Sequence, residues 1–351
     1  MRRAAREDTA TQALPLRVFQ GVADRRHARR LEQEMELVEA GLLEHLAFAS
    51  KVADAPARYL AAAGGKRVRP LLTLLTSELG DGPNEQVHSA AQSVEITHLA
   101  SLYHDDVMDD ANLRRGVPSA HTVWSNSVAI LAGDLLFARA SSIMSRMGPE
   151  AIQLQAATFE RLCLGQLHET VGPQPGDDPM QHYLQVLADK TGALIATAAR
   201  FGVMFGGAPA EYADAVTEYG ERVGVAFQLV DDVIDLSPKA SQTGKLAGTD
   251  LRAGVVTMPL LLLRERAGSD ADAADLLARI DAGVERIREG ADPAILDPEV
   301  EALRQHAVTR DTEAAARKWA ADAVAALGIL PESDAKRALA KLADSIVNRE
   351  G

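Results

Sequence analysis

The chain has 351 residues, of which 47% are hydrophobic and only 4% aromatic, and its net charge is −13. That content is enough for a sizeable core, and the charge argues against a nucleic-acid binder, because most of the surface would repel a phosphate backbone. The single cysteine, Cys163, excludes an internal disulfide framework and a zinc site of several thiolates, which fits a cytoplasmic location. We expect Cys163 to be a small, buried core residue.

The first 30 residues differ in character from the rest of the chain. They are rich in arginine and lack an apolar signal core, so we expect a flexible, solvated extension over residues 1–30, with a transit peptide as the alternative. Residues 31–351 contain no fixed-period repeat and no low-complexity linker, which favours one domain. No run of eighteen apolar residues occurs, so we expect no membrane span.

Alanine and leucine dominate long segments with helical periodicity, and we therefore predict an all-α fold. The glycine pair at 64 and 65 interrupts the first of these segments, and a short helix follows in "RPLLTLLTSELG". Surface loops are expected at "VGPQPGDDP" and "SPKASQTGKLAG". The other predicted helices cover residues 31–62, 85–110, 125–147, 149–170, 180–206, 210–236 and 257–267, with more in the C-terminal part.

The stretch "HLASLYHDDVMDD" places a row of polar and acidic side chains on one helix face. Steps of three, four and four from His98 bring Ser101, Asp105 and Asp109 onto one helix face, and Asp106 lies beside it. Like charges at these spacings destabilise a helix unless a cation lies between them. The row therefore predicts a cation site.

A second segment, "GVAFQLVDDVIDLSP", repeats this arrangement. Gln228, Asp231 and Asp235 share a face, and Asp232 flanks them. Oxygen ligands without histidine or thiolate favour hard cations, and Mg²⁺ is usually shared between carboxylates and phosphates. Two such rows predict a Mg²⁺-diphosphate site; the alternative is that both rows are solvated acidic surface.

Basic residues accompany both rows, although any one of them alone is more often an ordinary surface base. They stand after the glycine pair, directly after the first row, in "ADKTGAL" and in the loop after the second row, where they would bind anions. They are Lys66, Arg67, Arg69, Arg114, Arg115, Lys190 and Lys245.

These segments together resemble the trans-isoprenyl (polyprenyl) diphosphate synthases. The resemblance rests on "GGKRVRP", "HLASLYHDDVMDDANLRRG", "AGDLLFARA", "GQLHE", "DKTGAL", "GVAFQLVDDVIDLSP" and "GKLAGTDLRAGVVTMP" in this order, and it runs from about residue 35 to the end. It implies a helical bundle around a deep central cavity, a homodimer and Mg²⁺ as the cofactor. The implied substrates are isopentenyl diphosphate and an allylic diphosphate such as farnesyl diphosphate.

The resemblance also implies a role for each site residue. Asp105 and Asp109 would hold Mg²⁺ on one side of the allylic diphosphate, with Asp106 in support, and Asp231 would join from the other side. Asp232 and Asp235 complete the second metal motif. Three groups of further residues are implied: Arg114, Lys190 and Lys245 for the allylic diphosphate; Lys66, Arg69, His98 and Arg115 for isopentenyl diphosphate; and Lys190, Thr191 and Gln228 for catalysis near the developing carbocation.

These roles suit ionisation of the allylic diphosphate followed by attack of the isopentenyl double bond, with the proton lost to the departing diphosphate. No protein general base is assigned. One departure from the family pattern is Val255, which stands where many members have a lysine. It implies a weaker phosphate contact there, or one supplied by Lys245 and Arg252.

Small residues lie one turn below the first aspartate. Ala100 and Ser101 stand where short-chain members usually have a bulky aromatic, and the helix below continues without one to Val94, roughly 16 Å at 1.5 Å per residue. We expect a product of about six to nine isoprene units, as in quinone side chains, by this resemblance and rise per residue. The alternatives are that small residues only permit close helix packing, or that Phe137 forms the floor.

Other functions remain open at this level. A synthase of shorter product, such as geranylgeranyl diphosphate, is the first alternative. A terpene cyclase would have one DDxxD and a different second motif, and a non-catalytic synthase subunit has little need of both rows. A carboxylate-bridged di-iron bundle requires Glu-x-x-His pairs, which "QLHE" does not supply. A long apolar product favours peripheral membrane contact without an anchor in the chain.

Overall fold

The computed structural model describes residues 25–237 and 246–349. This part of the chain is helical apart from one antiparallel ribbon, β1 (Leu113–Arg114) with β2 (Val117–Pro118), which confirms the prediction of an all-α fold. The helices are α1 (Arg25–His45), α2 (Lys51–Ala62), α3 (Val68–Ser77), α4 (Glu85–Met108), α5 (Ala120–Val123), α6 (Asn126–Met144), α7 (Pro149–Val171), α8 (Pro179–Leu187), α9 (Ala193–Phe205), α10 (Ala213–Asp235), α11 (Thr249–Ala253), α12 (Met258–Ala267), α13 (Ala271–Arg288), α14 (Asp297–Gln305), α15 (Ala307–Ala326) and α16 (Asp334–Val347).

The folded chain begins earlier than the predicted boundary at residue 31. Helix α1 starts at Arg25, and its first turns are fixed by Glu78, whose carboxylate contacts His27 Nε2 at 2.6 Å and Arg30 at 2.8 Å. The flexible extension was expected to reach residue 30, but residues 25–30 belong to α1. Residues 1–24 lie outside the described residues. The single-domain assignment of residues 31–351 stays a prediction.

The predicted helix over residues 31–62 is two helices. The carboxylate of Asp54 accepts the backbone N–H of Phe48 at 2.9 Å, which fixes the turn between α1 and α2. Helix α2 contains Pro56, and the Tyr103 hydroxyl lies between the Pro56 carbonyl and the Leu60 N–H. The hydroxyl donates to the carbonyl and accepts from the N–H. This contact ties α2 to α4 directly below the first aspartate row.

Four buried clusters hold the helices together. Two of them matter for the site: one joins α3, α9, α10, α15 and α16, and the other packs α2, α4, α6 and α9. Helix α9 lies in both, so it contacts α4 on one side and α10 on the other. The two predicted aspartate rows end α4 and α10, and both are therefore held at fixed positions relative to α9.

Helix α6 is long and apolar enough to cross a membrane by length and composition alone. It packs along α4, but only 39% of its most apolar 18-residue stretch is buried in the structure. Its exposed face carries the apolar side chains of Ile130, Leu131 and Leu135. Cys163 on α7 is also exposed, which corrects the expectation that it is a core residue. It lies on the side of α7 that carries exposed Phe159 and Leu167, one turn away in each direction.

Candidate active site

The three aspartates of the first row have different environments. Asp106 is 0% exposed and accepts a hydrogen bond from Arg114 Nε at 2.6 Å, which leaves its other oxygen buried without a partner in the described structure. Asp105 is half-buried, and this burial raises its pKa to about 6 against the opposing charge of Lys190. Asp109 is exposed and ends α4. Asp105 and Asp109 are therefore accessible to a ligand, while Asp106 is held by the protein.

The basic pair after the first row is presented by the β-ribbon. Asp110 and Arg115 both have positive φ, at 48° and 54°, which folds the chain sharply back behind the row. Arg115 donates to the carbonyls of Leu60 and Gly64, so its guanidinium lies beside the end of α2. Arg114 points to Asp106 instead. The ribbon thus directs two adjacent arginines to two different places.

The second row is divided in the same way. Asp232 is buried, accepts hydrogen bonds from the Tyr183 hydroxyl and, at 3.1 Å, from the Met258 N–H, and burial raises its pKa to about 7. Asp235 accepts the N–H groups of Thr249 and Asp250 at 3.2 and 3.1 Å and so anchors the start of α11.

Asp231 is the remaining aspartate of that row, with a side chain that is 45% exposed. Its carboxylate is paired with Arg349, the last described residue of the chain. Asp231 thus presents a half-exposed carboxylate, whereas that of Asp235 already accepts two backbone N–H groups.

A distorted turn between α8 and α9 lies close to the helices of both rows. Residues Ala188–Gly192 form a π-helix, a geometry that often marks functional sites. Lys190 is the cation that most affects Asp105 of the first row, and it also bonds Glu169. On the other side, a Cβ at Gly224 of α10 would lie 2.6 Å from Gly192 Cα, so this turn touches the face of the second row.

A buried network fixes the π-helix. Asp189 is 7% exposed and accepts hydrogen bonds from Arg161 at 2.7 Å and Gln185 at 2.8 Å. Arg161 also reaches Glu221 of α10 at 3.0 Å. Gly165 of the "GQLHE" segment lets α7 approach the π-helix closely, because a Cβ there would lie 2.7 Å from the backbone nitrogen of Lys190.

A pocket of positive charge lies beside the first row. Burial, with a smaller effect of the Arg115 charge, lowers the pKa of Arg69 to about 10 against the opposing charge of Glu95, and the Arg69 Nε has no partner in the described structure. His98 has a pKa well below its usual range, because of burial and the nearby charges of Arg69 and Arg115. These three residues crowd positive charge around a neutral imidazole, an arrangement that fits a bound anion such as a diphosphate.

The "GGKRVRP" segment divides between structure and site. Arg67 is buried and bonded to Glu39 at 2.9 Å and Glu95 at 2.8 Å, so it holds α1, α3 and α4 together. Lys66 is exposed, and its ammonium lies 5.6 Å from the centre of the Phe227 ring on the second row's helix. The ammonium group is nevertheless partly desolvated, and this desolvation and the charge of Arg349 lower its pKa. Lys66 thus extends the basic pocket toward Asp231.

Thr191 and Gln228 are both half-buried. Thr191 belongs to the π-helix, and Gln228 lies one turn before Asp231 on α10.

Lys245 lies outside the described residues. Val255 is 45% exposed, and its side chain has no polar atom that could bind a phosphate. Arg252 is 8% exposed and bonded to Asp297 at 2.7 Å and to two carbonyls. The expectation that Arg252 supplies the missing contact is therefore corrected: its guanidinium holds α11 to the C-terminal helices.

The two expected chain-length residues differ in position. Ala100 is fully buried among side chains of α6, and its carbonyl lies 3.1 Å from where a Cβ at Gly133 would be. Ser101 is half-buried on the face of Asp105 and bonds the His98 carbonyl at 2.9 Å. Phe137 stacks on Phe159 of α7 with ring centres 4.3 Å apart. Ser101 is the one of the pair that lies on the aspartate face.

The oxygen donors fit a cation that is shared with a ligand. Within residues 25–237 and 246–349, no three acidic, histidine or cysteine side chains lie close enough to form a complete metal centre. The accessible donors are the carboxylates of Asp105, Asp109 and Asp231, on two separate helices, and burial already makes the charge of Asp105 costly. Such a set suits Mg²⁺, which binds one or two carboxylates together with substrate phosphates.

Two contributors to this site could not be found from sequence patterns. Tyr183 precedes the π-helix by more than a turn and carries no motif, yet it bonds Asp232. Arg349 lies in the segment "LADSIVNREG", at the end of the stretch that resembles the family. Its contact with Asp231 spans 118 positions of sequence.

An all-α bundle with two aspartate rows and an adjacent basic pocket defines an enzyme that binds diphosphate esters. Comparison with known proteins gives the family: the polyprenyl synthetase family matches residues 50–290. The chain belongs to this family and is a prenyltransferase, which confirms the resemblance found in its motifs.

Individual relatives agree. The chain is 43% identical over 290 residues to a nonaprenyl diphosphate synthase of Mycobacterium tuberculosis, covering 82% of this chain and 84% of that protein. A polyprenyl synthase of Caulobacter crescentus, crystallised with calcium and isoprenyl diphosphate, superposes with a TM-score of 0.84 at 31% identity over 97% of this chain and 99% of the other. A geranylgeranyl pyrophosphate synthase of Corynebacterium glutamicum, with the same ligands, gives 0.79 at 39% identity over 94% and 99%.

Proposed function

We propose that the protein condenses isopentenyl diphosphate with an allylic diphosphate, such as farnesyl diphosphate, in a Mg²⁺-dependent reaction that makes a long all-trans polyprenyl diphosphate. The observation that carries the proposal is the π-helix, which brings Lys190 to Asp105 and touches the helix face of Asp231. The pocket of Arg69, His98 and Arg115 lies next to this place and supplies a second anion site.

The chain's own residues have distinct tasks in this reaction. When bound between Asp105, Asp109 and Asp231, Mg²⁺ would supply electrostatic stabilisation of the leaving diphosphate. Lys190 adds fixed positive charge at the same place, and preorganised charge of this kind is usually the largest catalytic term. His98 stays neutral between two arginines and donates or accepts a hydrogen bond without adding charge.

The carbocation left on the allylic chain needs protection from water. Thr191 of the π-helix and Gln228 of α10 are half-buried and offer polar atoms without a negative charge. The isopentenyl double bond attacks from the basic pocket, and the proton then passes to the released diphosphate. A closed, dry site prevents the cation from reacting with water.

A long product is favoured over a short one by the small Ser101 on the aspartate face and by relatives that include nonaprenyl and octaprenyl diphosphate synthases. The octaprenyl enzyme of Escherichia coli is 30% identical over 91% of this chain. The alternative of a shorter product is kept, because a geranylgeranyl diphosphate synthase of Methanosarcina mazei is 37% identical over 57% of the chain.

The experiment that tests the proposal incubates purified protein with farnesyl and isopentenyl diphosphates, with Mg²⁺ or with a chelator, and sizes the products by mass spectrometry. We expect products of about six to nine isoprene units with Mg²⁺ and none with the chelator, because charge on the leaving group is then not neutralised. Products that end at four units would support the shorter-chain alternative. Cyclised, diphosphate-free products would contradict the proposal.

The protein is also proposed to act as a cytoplasmic homodimer that meets a membrane only through its product. Support comes from an exposed apolar strip on α6 and α7, in which the stacked rings of Phe137 and Phe159 join the two helices. Contiguous apolar surface of this kind marks interaction sites. The strip consists of Ile130, Leu131, Leu135, Phe159, Leu164 and Leu167.

A further inference from the structure

The side chain of Arg349 has an unusual environment for a residue that follows the last helix. It is only 9% exposed, and its guanidinium carbon lies 3.9 Å from the centre of the Phe227 ring. One terminal nitrogen donates both to the Asp231 carboxylate and, at 2.8 Å, to the Phe227 carbonyl. A buried arginine therefore covers the half-exposed carboxylate of Asp231 in the second aspartate row.

This arginine is incompletely bonded. Its Nε and its other terminal nitrogen are buried without a hydrogen-bond partner in the described structure, and burial lowers its pKa. Arg67 provides the contrast, because its three nitrogens reach Glu39, Glu95 and the Ala61 carbonyl. Arg67 is a structural ion pair with its donors satisfied, whereas Arg349 has buried donors that solvent or an added anion could satisfy if the side chain moved.

A second cation lies nearby and adds repulsion. The Lys66 ammonium is 5.6 Å from the same Phe227 ring, and Arg349 lowers the pKa of Lys66. Two cations beside one carboxylate leave the cluster with excess positive charge. A divalent cation beside Asp231 would add to this repulsion unless the guanidinium moves or an anion arrives with the metal.

We infer that Arg349 is a positioning residue that occupies Asp231 in place of the metal ion and is displaced when metal and diphosphate bind together. The inference rests on the proposed function, in which Asp231 is a metal ligand. The guanidinium keeps the half-exposed carboxylate neutralised in the ligand-free enzyme, and it lowers the affinity of the second row for metal alone. A diphosphate arriving with the metal supplies the negative charge that stabilises the released guanidinium and Lys66.

The test measures binding of Mn²⁺, with and without inorganic diphosphate, by titration calorimetry on the full-length protein. The variant is Arg349→Gln, and Arg337→Gln on the same helix is the matched control, because Arg337 is 58% exposed and pairs only with Asp334 in the described structure. If Arg349 covers Asp231 in about nine molecules of ten, its removal tightens Mn²⁺ binding about tenfold. Arg337→Gln should bind as the wild type does, and Arg349→Lys should fall between.

An unchanged or weaker Mn²⁺ affinity in Arg349→Gln would overturn the inference while leaving the proposed function in place. Absence of Mn²⁺ binding in every variant, with diphosphate present, would overturn both. A measurement on the wild type does not depend on the variant's folding: hydrogen exchange at the Asn348 amide, which bonds the Asp344 carbonyl at 3.1 Å, should quicken when Mn²⁺ and diphosphate are added. Slower or unchanged exchange there would count against displacement.

Discussion

The six aspartates of the two rows fall into two groups by their surroundings. Asp106, Asp232 and Asp235 are bonded by Arg114, by Tyr183 and by the start of α11, respectively. Each row therefore contains side chains that build the site and side chains that are left for a ligand. The DDxxD spacing predicted which residues gather, because helical geometry fixes a common face. It did not separate the two groups, since their partners come from distant segments.

The raised pKa of Asp105 predicts a specific pH dependence of stability. Its pKa of about 6 in the fold exceeds the ordinary value of 3.8, so the folded state binds this proton more tightly than the unfolded chain. Stability from this group is therefore present at low pH and is lost as pH rises from about 4 to about 6.

Asparagine in Asp105→Asn is never charged. We therefore expect the free energy of unfolding of this variant to rise relative to the wild type by about 1 to 3 kcal/mol between pH 4 and pH 7. This range follows from about 1.36 kcal/mol per pKa unit, reduced by partial solvent screening. Urea unfolding of both proteins in a chelator, at several pH values, measures the difference. A stability difference that stays constant over this range would contradict the burial of Asp105.

At the scale of helices, the π-helix is the element that lies close to the helices of both rows. It was predicted as ordinary helix within residues 180–206, because periodicity does not distinguish a five-residue π segment from its flanking α-helices. The helix starts and ends were otherwise close to prediction. α4 ends at Met108 rather than 110, and α10 covers Ala213–Asp235 within the predicted 210–236. Capping and proline signals fix such ends locally, whereas the π distortion depends on packing against α7 and α10.

Gly165→Ala tests the packing that holds this element. An added Cβ would lie 2.7 Å from the backbone nitrogen of Lys190, so α7 or the π-helix must shift. A shift of the π-helix would move Lys190. We expect kcat to fall about ten- to a hundredfold, since displacements of about 1 Å at a catalytic group have effects of this size. Gly268→Ala is the control, because its Cβ would be 3.5 Å from the nearest atom and its φ is −66°. Equal rates for the two variants would show that the close approach is unimportant.

Ser101→Phe tests the chain-length hypothesis on α4. The new ring would project from the face of Asp105 into the path of the growing prenyl chain, so we expect products shorter by at least about two isoprene units, judged from one to two helical turns of blocked depth. Ser101→Ala keeps the side chain small and should leave product length unchanged. Mass analysis of the products from both variants decides the point; a long product from Ser101→Phe would place the chain elsewhere.

Ala100→Phe is less informative, although the sequence favoured both positions equally. Ala100 is fully buried against α6, so the larger side chain overpacks the core, at a cost of about 1–3 kcal/mol. Sequence alone could not separate the two residues, because the face that meets α6 is set by helix packing. A shorter product from Ala100→Phe would still agree with a prenyl chain that runs down this part of α4, whereas an unchanged product would count against it.

At the scale of the whole molecule, the exposed apolar strip on α6 and α7 predicts self-association. Leu131→Glu places a charge at a position that is 60% exposed in the single chain, and burial of that charge in a dimer would be costly. We expect a shift from dimer to monomer in light scattering coupled to size-exclusion chromatography. Ile329→Glu, at a 63% exposed position outside the strip, is the control and should remain dimeric. A dimeric Leu131→Glu protein would place the interface on another surface.

The fold and most of the site followed from sequence because charge, glycine and helix periodicity agree along the chain. Contacts that close the molecule on itself did not follow. His27 and Arg30 fix α1 on Glu78, and Arg349 reaches Asp231 from the far end of the chain. Pairings across such separations depend on the packing of intervening helices, which no local pattern records.

In the proposed reaction the two aspartate rows bind one metal-diphosphate assembly together. Anomalous diffraction from crystals grown with Mn²⁺ and inorganic diphosphate would locate this assembly. We expect Mn²⁺ peaks against the carboxylates of Asp105 and Asp109 and against that of Asp231, bridged by one diphosphate that Lys190 contacts. Manganese bound to only one row, or to surface carboxylates away from the π-helix, would contradict it.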